Sequence, residues 1–311
     1  MIEPVLPQLA RQVATVVQTV IAEVRPRLID AALSGHQGEQ KNDRHEDNFL
    51  SKHDVWMHQR YRELLQEVFP SFWYTSEEGD PELIGESKDP DLVVLVDPLD
   101  TSELAVRAIH GYTHIVIYSR AVSRPVVAVV GDIFHEIQLY GAVRTEEGSD
   151  QAFVVTAGGL QKTIEAPKSP RLNQALITNY LMRPVERFTP LASQTALLEA
   201  LDQPSDDGRK RGRIGVGFGS ISLCHVATGQ TDAMLEFAKG FATWDLYPGH
   251  YILEAAGGVV VDLDGRPIAL DGRFDTSEKV TAAMTTRQEF VATASPDLAR
   301  EILEYLQPTQ D

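Results

Sequence analysis

The spacing of apolar residues predicts two helices near the start of the chain. Residues 5–24 carry valine and leucine at helical spacing, which predicts a helix that ends before Pro26. Residues 52–69 repeat this period, and Val55 is among the positions expected to face inward. The polar segment 35–48 between them predicts an exposed loop.

Short β-branched and aromatic runs replace the helical period over residues 72–156. The run at 91–96 predicts a buried strand, and a helix is predicted to follow it and to end at Gly111. Four further runs predict an antiparallel meander, at residues 113–119, 125–131, 133–143 and 152–156. The first half of the chain is therefore predicted to be α+β.

The second half alternates strand and helix patterns beyond a polar, proline-bearing segment at residues 163–170. Strands are predicted at residues 175–178, 214–216, 233–236, 259–261 and 279–283. Helices are predicted at residues 190–201, 220–228, 246–256 and 296–306. This alternation predicts an α/β half. We therefore expect two domains, an α+β domain over residues 1–165 and an α/β domain over residues 166–311.

Composition and charge narrow the class of protein. In 311 residues, a hydrophobic content of 43% and a charged content of 23% are ordinary for a globular protein with a large core. A net charge of −17 without a broad basic face argues against nucleic acid or an anionic membrane as a partner. The single cysteine, Cys224, excludes an internal disulfide framework and suits a reducing cytosol. Because the sequence also shows neither a signal peptide nor a membrane-spanning run, we expect a cytoplasmic protein.

A predicted strand, an acidic turn and a predicted helix start meet at Asp97-Pro98-Leu99-Asp100-Thr101-Ser102. Carboxylates three residues apart offer hard oxygen ligands to a divalent cation, and backbone N–H groups at a helix start can hold an anion. A metal ion and a phosphate would both fit such a turn. An acidic turn that only caps a helix is the alternative interpretation.

Carboxylates also stand near predicted element boundaries at three other places: Asp54, the pair Glu77-Glu78, and Asp245. For Asp54 alone, a simple charge at a helix end is the ordinary explanation. The basic run at 209–213 is more simply a solvated loop than a substrate clamp. Three histidines have no metal-ligand spacing and are interpreted as ordinary surface or core residues: His110, His114 and His135.

Taken in order, the acidic segments resemble the motifs of the inositol monophosphatase family of Mg²⁺-dependent, lithium-sensitive phosphatases. The family has a Glu-Glu pair, then Asp-Pro-(Ile/Leu)-Asp-Gly-(Thr/Ser), then Trp-Asp before a helix that ends in Ala-Gly-Gly. The matching segments here are Glu77-Glu78, the turn at residues 97–102, Trp244-Asp245, and Ala256-Gly257-Gly258. The resemblance implies a layered αβαβα sandwich of the inositol monophosphatase and fructose-bisphosphatase type, and a homodimer.

The resemblance also implies Mg²⁺ as the cofactor, with two or three ions in each active site. The first ion would be bound by Glu77, Asp97 and the carbonyl of Leu99. The second would be bound by Asp97, Asp100 and Asp245. Mg²⁺ in such a site activates a water near neutral pH and stabilises the leaving oxygen of a phosphate ester.

The remaining family positions would act on the water and on the substrate. Ser102 would orient the attacking water, Asp54 would polarise the Ser102 hydroxyl, and Glu77 would assist them. Substrate contacts are implied for Thr101, Ser102, Gly219, Ser220, Ile221 and Glu236. An exposed charge at a strand end is the alternative interpretation of Glu236. The implied activity is hydrolysis of a small phosphorylated metabolite, a phosphate monoester of inositol, a sugar or a nucleotide.

Three departures from the family pattern leave alternatives open. Thr101 stands where the family has glycine, Ser76 stands where glycine usually precedes the Glu pair, and Glu103-Leu104 replace a polar-aromatic continuation. Thr101 would restrict the turn and add a side chain near the phosphate. One alternative is a nucleotide or sugar-bisphosphate phosphatase of the same superfamily. Another is a pseudo-phosphatase that binds a phosphorylated ligand or partner without turnover.

Overall fold

The chain forms two compact units. The computed structural model describes residues 6–35, 38–41, 49–209, 211–271, 274 and 276–307. Contacts within the chain group residues 1–163 with 270–285 in the first unit, and residues 164–269 with 286–311 in the second. The predicted domain bounds, 1–165 and 166–311, remain a prediction.

Two long helices belong to the first unit, α1 at Gln8–Ser34 and α2 at Lys52–Val68. The prediction that the first helix ends before Pro26 is wrong, because Pro26 lies inside α1. A proline there removes one backbone hydrogen bond and costs about 3 kcal/mol. The helix continues because Leu28 and Ala31 extend its buried apolar stripe into the core. Packing of that stripe outweighs the local cost of the proline.

The second predicted helix is confirmed by α2, although one inward position is wrong. Val55 is 44% exposed, because the buried face of α2 runs through Asp54, Tyr61 and Leu65 instead. The predicted loop at 35–48 falls largely outside the described residues. The described part of it includes β1 at Glu39–Gln40, which pairs antiparallel with β2 at Leu50–Ser51.

One large sheet forms the rest of the first unit. Its strands are β3 (Ser71–Ser76), β4 (Gly79–Gly85), β5 (Leu92–Asp100), β6 (Tyr112–Ser119), β7 (Arg124–Asp132), β8 (Ile137–Arg144), β9 (Asp150–Thr156) and β10 (Gln161–Ile164). Among the described residues they are ordered β10-β9-β8-β7-β6-β5-β3-β4. The predicted meander is confirmed by antiparallel β6 to β9. Apolar side chains of α1 and α2 pack on this sheet in one core.

The acidic segment continues β5 rather than forming a turn directly after it. β5 extends through Asp100, with a register shift against β6 between Asp97 and Asp100. The helix predicted to end at Gly111 is wrong in length, because α3 covers only Ser102–Ala105. The backbone turns left-handed at Ala108, with φ of 52°, which a helix does not tolerate.

The second unit has a five-stranded sheet among its described residues. Its strands are β11 (Leu176–Asn179), β12 (Arg213–Val216), β13 (Ala233–Ala242), β14 (Val259–Val261) and β15 (Arg287–Thr293), ordered β12-β11-β13-β15-β14. β11, β12 and β13 run parallel, and β15 pairs antiparallel with β13 and β14.

Helices flank this second sheet. They are α4 (Thr189–Ala192), α5 (Thr195–Leu201), α6 (Gly219–Thr228), α7 (Thr243–Ala255) and α9 (Pro296–Tyr305). A short π-helix, Pro184–Phe188, precedes α4. The predicted fold class, a mixed α+β structure with sheets flanked by helices, is confirmed. Within the described part of the chain, no helix is long and apolar enough to cross a membrane.

One predicted strand is wrong in type. Residues 279–283 lie in α8, Ser277–Ala283, which belongs to the first unit. The Thr276 hydroxyl accepts a hydrogen bond from the backbone N–H of Lys279 at 3.4 Å, an N-cap that starts a helix. The strand of this region is β15, which the apolar pattern did not predict.

Candidate active site

The carboxyl ends of two parallel strands bring two acidic segments together. β3 runs parallel to β5, with Ser76 opposite Val96. The backbone N–H of Glu77 donates to the carbonyl of Val96 at 3.2 Å. Since Asp97 follows Val96 directly, Glu77 and Asp97 start from the same edge of the sheet. The structure therefore places the first two predicted acidic segments side by side.

Asp97 and Asp100 approach a histidine that spacing alone did not connect with them. His114 lies opposite Asp97 in the β5–β6 pairing, and its Nε2 lies 3.6 Å from Asp97 Oδ2 and 3.7 Å from Asp100 Oδ2. His114 and Asp97 are buried, and the Asp100 side chain is 11% exposed. His114 is a core residue, as predicted, but it also contacts the acidic pair. The strand register that joins them is not visible in a single sequence.

The turn after β5 forms without the glycine of the family motif. Thr101 has φ of 61° and ψ of 41°, a left-handed backbone that a β-branched residue rarely adopts. Its hydroxyl donates to the carbonyl of Asp100 at 2.6 Å. Left-handed backbone costs a non-glycine residue about 1–2 kcal/mol, which the surrounding structure offsets.

Ser102 and Asp54 form the central hydrogen bond of the candidate site. The Ser102 hydroxyl donates to Asp54 Oδ1, and its oxygen also lies 2.8 Å from the carbonyl oxygen of Leu99. Asp54 Oδ2 accepts hydrogen bonds from the backbone N–H of Ser51 at 2.8 Å and from the Ser51 hydroxyl at 2.6 Å. Asp54 is thus both part of a capping box for α2 and a partner of Ser102.

Burial raises the pKa of Asp54, and the hydrogen bonds from Ser102 and Ser51 act in the opposite direction. Asp54 is 1% exposed, and these hydrogen-bond partners are all neutral groups. A carboxylate with a raised pKa accepts a proton more readily than an exposed aspartate. The position is therefore suited to receive a proton through Ser102.

The other departures from the motif have local structural partners. The Ser76 hydroxyl accepts a hydrogen bond from the backbone N–H of Glu78 at 3.2 Å, within the hairpin between β3 and β4. Glu103 pairs with Arg107 at 2.9 Å on the exposed side of α3.

In the second unit, α6 holds the first turn of α7, which carries Asp245. The Ser220 hydroxyl donates to the carbonyl of Asp245 and accepts from the backbone N–H of Gly249 at 3.1 Å. A Cβ on Gly249 would lie 2.4 Å from the Ser220 carbonyl oxygen, so only glycine permits this approach. Asp245 itself is half-buried, whereas Gly219, Ser220 and Ile221 are fully buried.

Glu236 is buried, so its interpretation as an exposed strand-end charge is wrong. It is 1% exposed and forms an ion pair with Arg187 of the π-helix. Its Oε1 accepts backbone hydrogen bonds, at 3.3, 2.9 and 3.1 Å, from Ala238, Lys239 and Gly240. The Arg187 guanidinium lies 4.7 Å from the centre of the Tyr180 ring, and burial lowers the pKa of Arg187 to about 10. Arg187 is not predictable as a site residue from the sequence, because nothing in its own segment indicates a buried partner.

The basic run at 209–213 lies apart from these contacts. The side chains of Arg209 and Arg211 are exposed, and Arg211 pairs with Asp207 four residues away. Lys210 lies outside the described residues. This arrangement supports the interpretation as a solvated loop.

Comparisons with known proteins agree with the motif order. The model of the inositol monophosphatase family matches residues 5–304. The Nus factor SuhB of Pasteurella multocida is 27% identical over 246 residues, covering 79% of this chain and 78% of that protein. Inositol monophosphatase 2 of Homo sapiens is 40% identical over 55 residues, 18% of each chain.

Solved structures share the fold at lower sequence identity. Mycobacterium tuberculosis SuhB is 17% identical, with a TM-score of 0.64 and coverage of 99% of this chain and 100% of that one. SaIMPase-II, described as bound to inositol monophosphate, is 18% identical, with a TM-score of 0.63 and coverage of 94% of each chain. The family match over nearly the whole sequence is decisive, and the chain belongs to the inositol monophosphatase family.

Proposed function

We propose that the protein hydrolyses a small-molecule phosphate monoester with the help of Mg²⁺. The observation that carries this proposal is the hydrogen bond from Ser102 to the buried Asp54, directly after the acidic segment at residues 97–100. A hydroxyl polarised by a carboxylate, placed beside oxygen ligands for a cation, can orient a water and accept its proton during attack on a phosphate. Family membership supports the same activity.

The oxygen donors of the first unit fit a hard divalent cation. Asp97 and Asp100 present carboxylates to the same nitrogen of His114, and Asp100 Oδ2 is buried without a hydrogen-bond partner among the described residues. Two neighbouring carboxylates repel each other when both are ionised, and a bound cation removes that repulsion. Mg²⁺ would supply positive charge to the phosphate and lower the pKa of a water.

The ligand sets follow the family motif. We assign one ion to Glu77, Asp97 and the carbonyl of Leu99, and a second to Asp97, Asp100 and Asp245. The family resemblance leaves room for a third ion. Oxygen ligands of this kind are those that Mg²⁺ prefers.

Ser102 and Asp54 would carry the proton of the attacking water. Because the Ser102 hydroxyl donates to Asp54 Oδ1, its lone pairs remain able to accept a hydrogen bond from a water. As the water attacks, its proton moves to Ser102 Oγ, and the Ser102 proton moves to Asp54. Backbone N–H groups of Thr101 and Ser102 would hold the phosphate oxygens, and displacement would be in line.

Substrate selection would lie in the second unit, at Gly219, Ser220, Ile221 and Glu236. Since Oε1 of Glu236 already accepts three backbone hydrogen bonds, a substrate hydroxyl would have to approach Oε2, beside Arg187. The bound inositol monophosphate of SaIMPase-II supports a phosphorylated polyol as the first substrate class to test. Nucleotide and sugar-bisphosphate substrates are the alternatives within the same superfamily.

The local structure at the residues that differ from the family motif favours turnover over a role in binding alone. Thr101 adopts a left-handed backbone, which glycine adopts readily, at the position where the family has glycine, and Glu103 pairs with Arg107. By family resemblance we further propose a cytoplasmic homodimer. The net charge of −17 is the reason to expect that the protein binds no nucleic acid, and this stays a prediction. The name Nus factor belongs to relatives such as the protein of Pasteurella multocida and is not transferred to this chain.

A phosphate-release screen tests the proposal. Purified protein would be incubated with inositol, sugar and nucleotide phosphates, with Mg²⁺ or with EDTA. We expect Mg²⁺-dependent release from at least one class, its loss in Asp97→Asn, and inhibition by LiCl but not by KCl at equal ionic strength. Absence of release from every class in the wild type, with activity gained in Thr101→Gly, would instead establish the pseudo-phosphatase.

A further inference from the structure

A cavity of about 580 Å³ lies between α1 and α2 in the first unit. Its lining includes Arg27 and Asp30 from α1, and Lys52, His53 and Trp56 from α2. None of the described lining residues belongs to the acidic segment at 97–100 or to its partners Ser102 and Asp54. The cavity is therefore separate from the candidate active site, although His53 precedes Asp54 in the chain.

The charge around this cavity is opposite to that of the whole protein. Among the described lining residues, Arg27, Lys52 and the titratable His53 stand against one acidic residue, Asp30, in a chain of net charge −17. The Arg27 guanidinium lies 4.0 Å from the centre of the Trp56 ring. Stacking of this kind fixes the guanidinium plane and leaves its N–H edge free for a planar or tetrahedral oxyanion.

His53 supplies a second and independent sign of a ligand. Its residue is 4% exposed, and its ring nitrogen Nε2 is buried without a hydrogen-bond partner among the described residues. Leaving a buried polar group unsatisfied costs about 1–3 kcal/mol. Burial lowers the pKa of His53, and Lys52 and Arg27 act in the same direction. A bound anion would satisfy Nε2 and counteract the two neighbouring cations.

We propose that this cavity binds a small organic anion that carries a phosphate or a carboxylate group. Arg27 and Lys52 pair with its oxygens, and His53 Nε2 donates a hydrogen bond to it. Trp56 supports the guanidinium from one face. The carboxylate of Asp30 repels the anion, and the attraction of Arg27, Lys52 and His53 exceeds this repulsion.

Binding is measured on metal-free protein in EDTA, with inorganic phosphate and succinate as probes. The imidazole signals of His53 are followed by NMR, and they are identified among the nine histidines by comparison with His53→Gln. We expect a saturable shift of these signals and a higher apparent pKa of His53 in the bound state. Binding of phosphate alone assigns a phosphorylated ligand, and binding of succinate alone assigns a carboxylate.

Variants on exposed positions test the basic groups without disturbing the core. Arg27→Gln and Lys52→Gln should each weaken the probe by about tenfold, as for loss of one charge-assisted hydrogen bond. Arg300→Gln, an equal charge change on the exposed side of α9, should leave binding unchanged. Asp97→Asn should also leave binding of the probe unchanged. Binding in this cavity can therefore be tested independently of the proposed phosphatase activity. A shift that persists in the Arg27→Gln/Lys52→Gln variant, or no saturable shift at all, overturns the proposal.

Discussion

The two units hold their buried carboxylates with different partners. In the first unit, Asp54 accepts hydrogen bonds from the hydroxyls of Ser51 and Ser102 and from one backbone N–H, all neutral donors. In the second unit, Glu236 pairs with Arg187 and also accepts three backbone N–H groups. Both side chains are 1% exposed, so burial alone does not distinguish them.

The partners decide what each carboxylate can do. Burial raises the pKa of Asp54, and its neutral donors oppose this only in part, so Asp54 can exchange a proton with Ser102 during a reaction. A guanidinium stays protonated near neutral pH, so Arg187 keeps Glu236 ionised and holds it in a fixed ion pair. We infer that Asp54 acts in proton transfer, whereas the Arg187–Glu236 pair sets the shape of the second unit near β13.

The largest expected effect is on turnover at the first carboxylate. Ser102→Ala should lower kcat by a factor of about 10²–10⁴, as for loss of a positioned proton-transfer partner, with little change in KM. Asp54→Asn should give a similar loss, and the double variant should be barely worse than either, because the two residues act as one unit. Steady-state phosphate release measures this, with Ser193→Ala on an exposed position as control. Activity unaffected by Ser102→Ala would remove Ser102 from the mechanism.

The next effect concerns the ion pair of the second unit. Arg187→Met leaves Glu236 buried without its cation, which should lower the free energy of unfolding by about 3–5 kcal/mol. Adding Glu236→Gln should recover much of this loss, since the uncompensated charge is then gone. Urea unfolding measures both variants.

Lys239→Met is the matched control for that experiment, because it breaks the exposed Lys239–Glu186 pair, which spans 2.7 Å. An exposed pair contributes about 0–1 kcal/mol. If Arg187→Met lowers the free energy of unfolding no more than this control does, the Arg187–Glu236 pair has no structural role, and the contrast with Asp54 is lost.

A smaller effect of opposite sign is expected for the stability of Asp54→Asn. The folded pKa of Asp54 is raised above its ordinary value of 3.8, so the unfolded chain loses this proton first as pH rises. The contribution of Asp54 to stability is therefore present below pH 3.8 and is lost as pH rises through the folded pKa. As pH rises from about 3.8 toward 7, the Asn variant should therefore gain stability relative to the wild type, by about 1.4 kcal/mol for each pKa unit of the shift.

Thermal unfolding across pH 3 to 8 tests this sign. The difference between Asp54→Asn and the wild type should grow with pH and then level off. Asp297→Asn, at a side chain that is 87% exposed, should show no such trend. A difference that shrinks with rising pH would show that hydrogen bonding, not burial, dominates at Asp54.

The smallest effect is expected at the left-handed turn beside Ser102. Thr101→Gly removes the backbone strain but also the hydroxyl bond to Asp100, so stability should rise by about 1 kcal/mol or less. Turnover should be kept or improved. Ser123→Gly, at φ of 51° in the turn between β6 and β7, is the control for strain alone and should leave activity unchanged. Loss of activity in Thr101→Gly would mean that the threonine side chain contributes to the site.

Local pattern was sufficient for much of the fold and for the acidic segments. Helix α2, the meander β6 to β9 and the alternation of the second half follow from apolar periodicity, because each residue's neighbours in sequence are also its neighbours in the element. The family could be recognised from the order of its motifs for the same reason. Each motif is a short continuous segment: Glu77-Glu78, residues 97–102 and Trp244-Asp245. The Asp54–Ser102 bond was expected from resemblance, and the structure contains it.

Tertiary structure decided what depends on partners distant in sequence. Pro26 stays inside α1 because Leu28 and Ala31 beyond it are buried, and His114 meets Asp97 because of the β5–β6 register. Arg187 is bound to Glu236 only because the π-helix folds against β13. A single sequence records each residue's own preference, but a buried charge is stable only with its partner. That partner is chosen by packing, so the sequence determined which groups are present and the fold determined which of them meet.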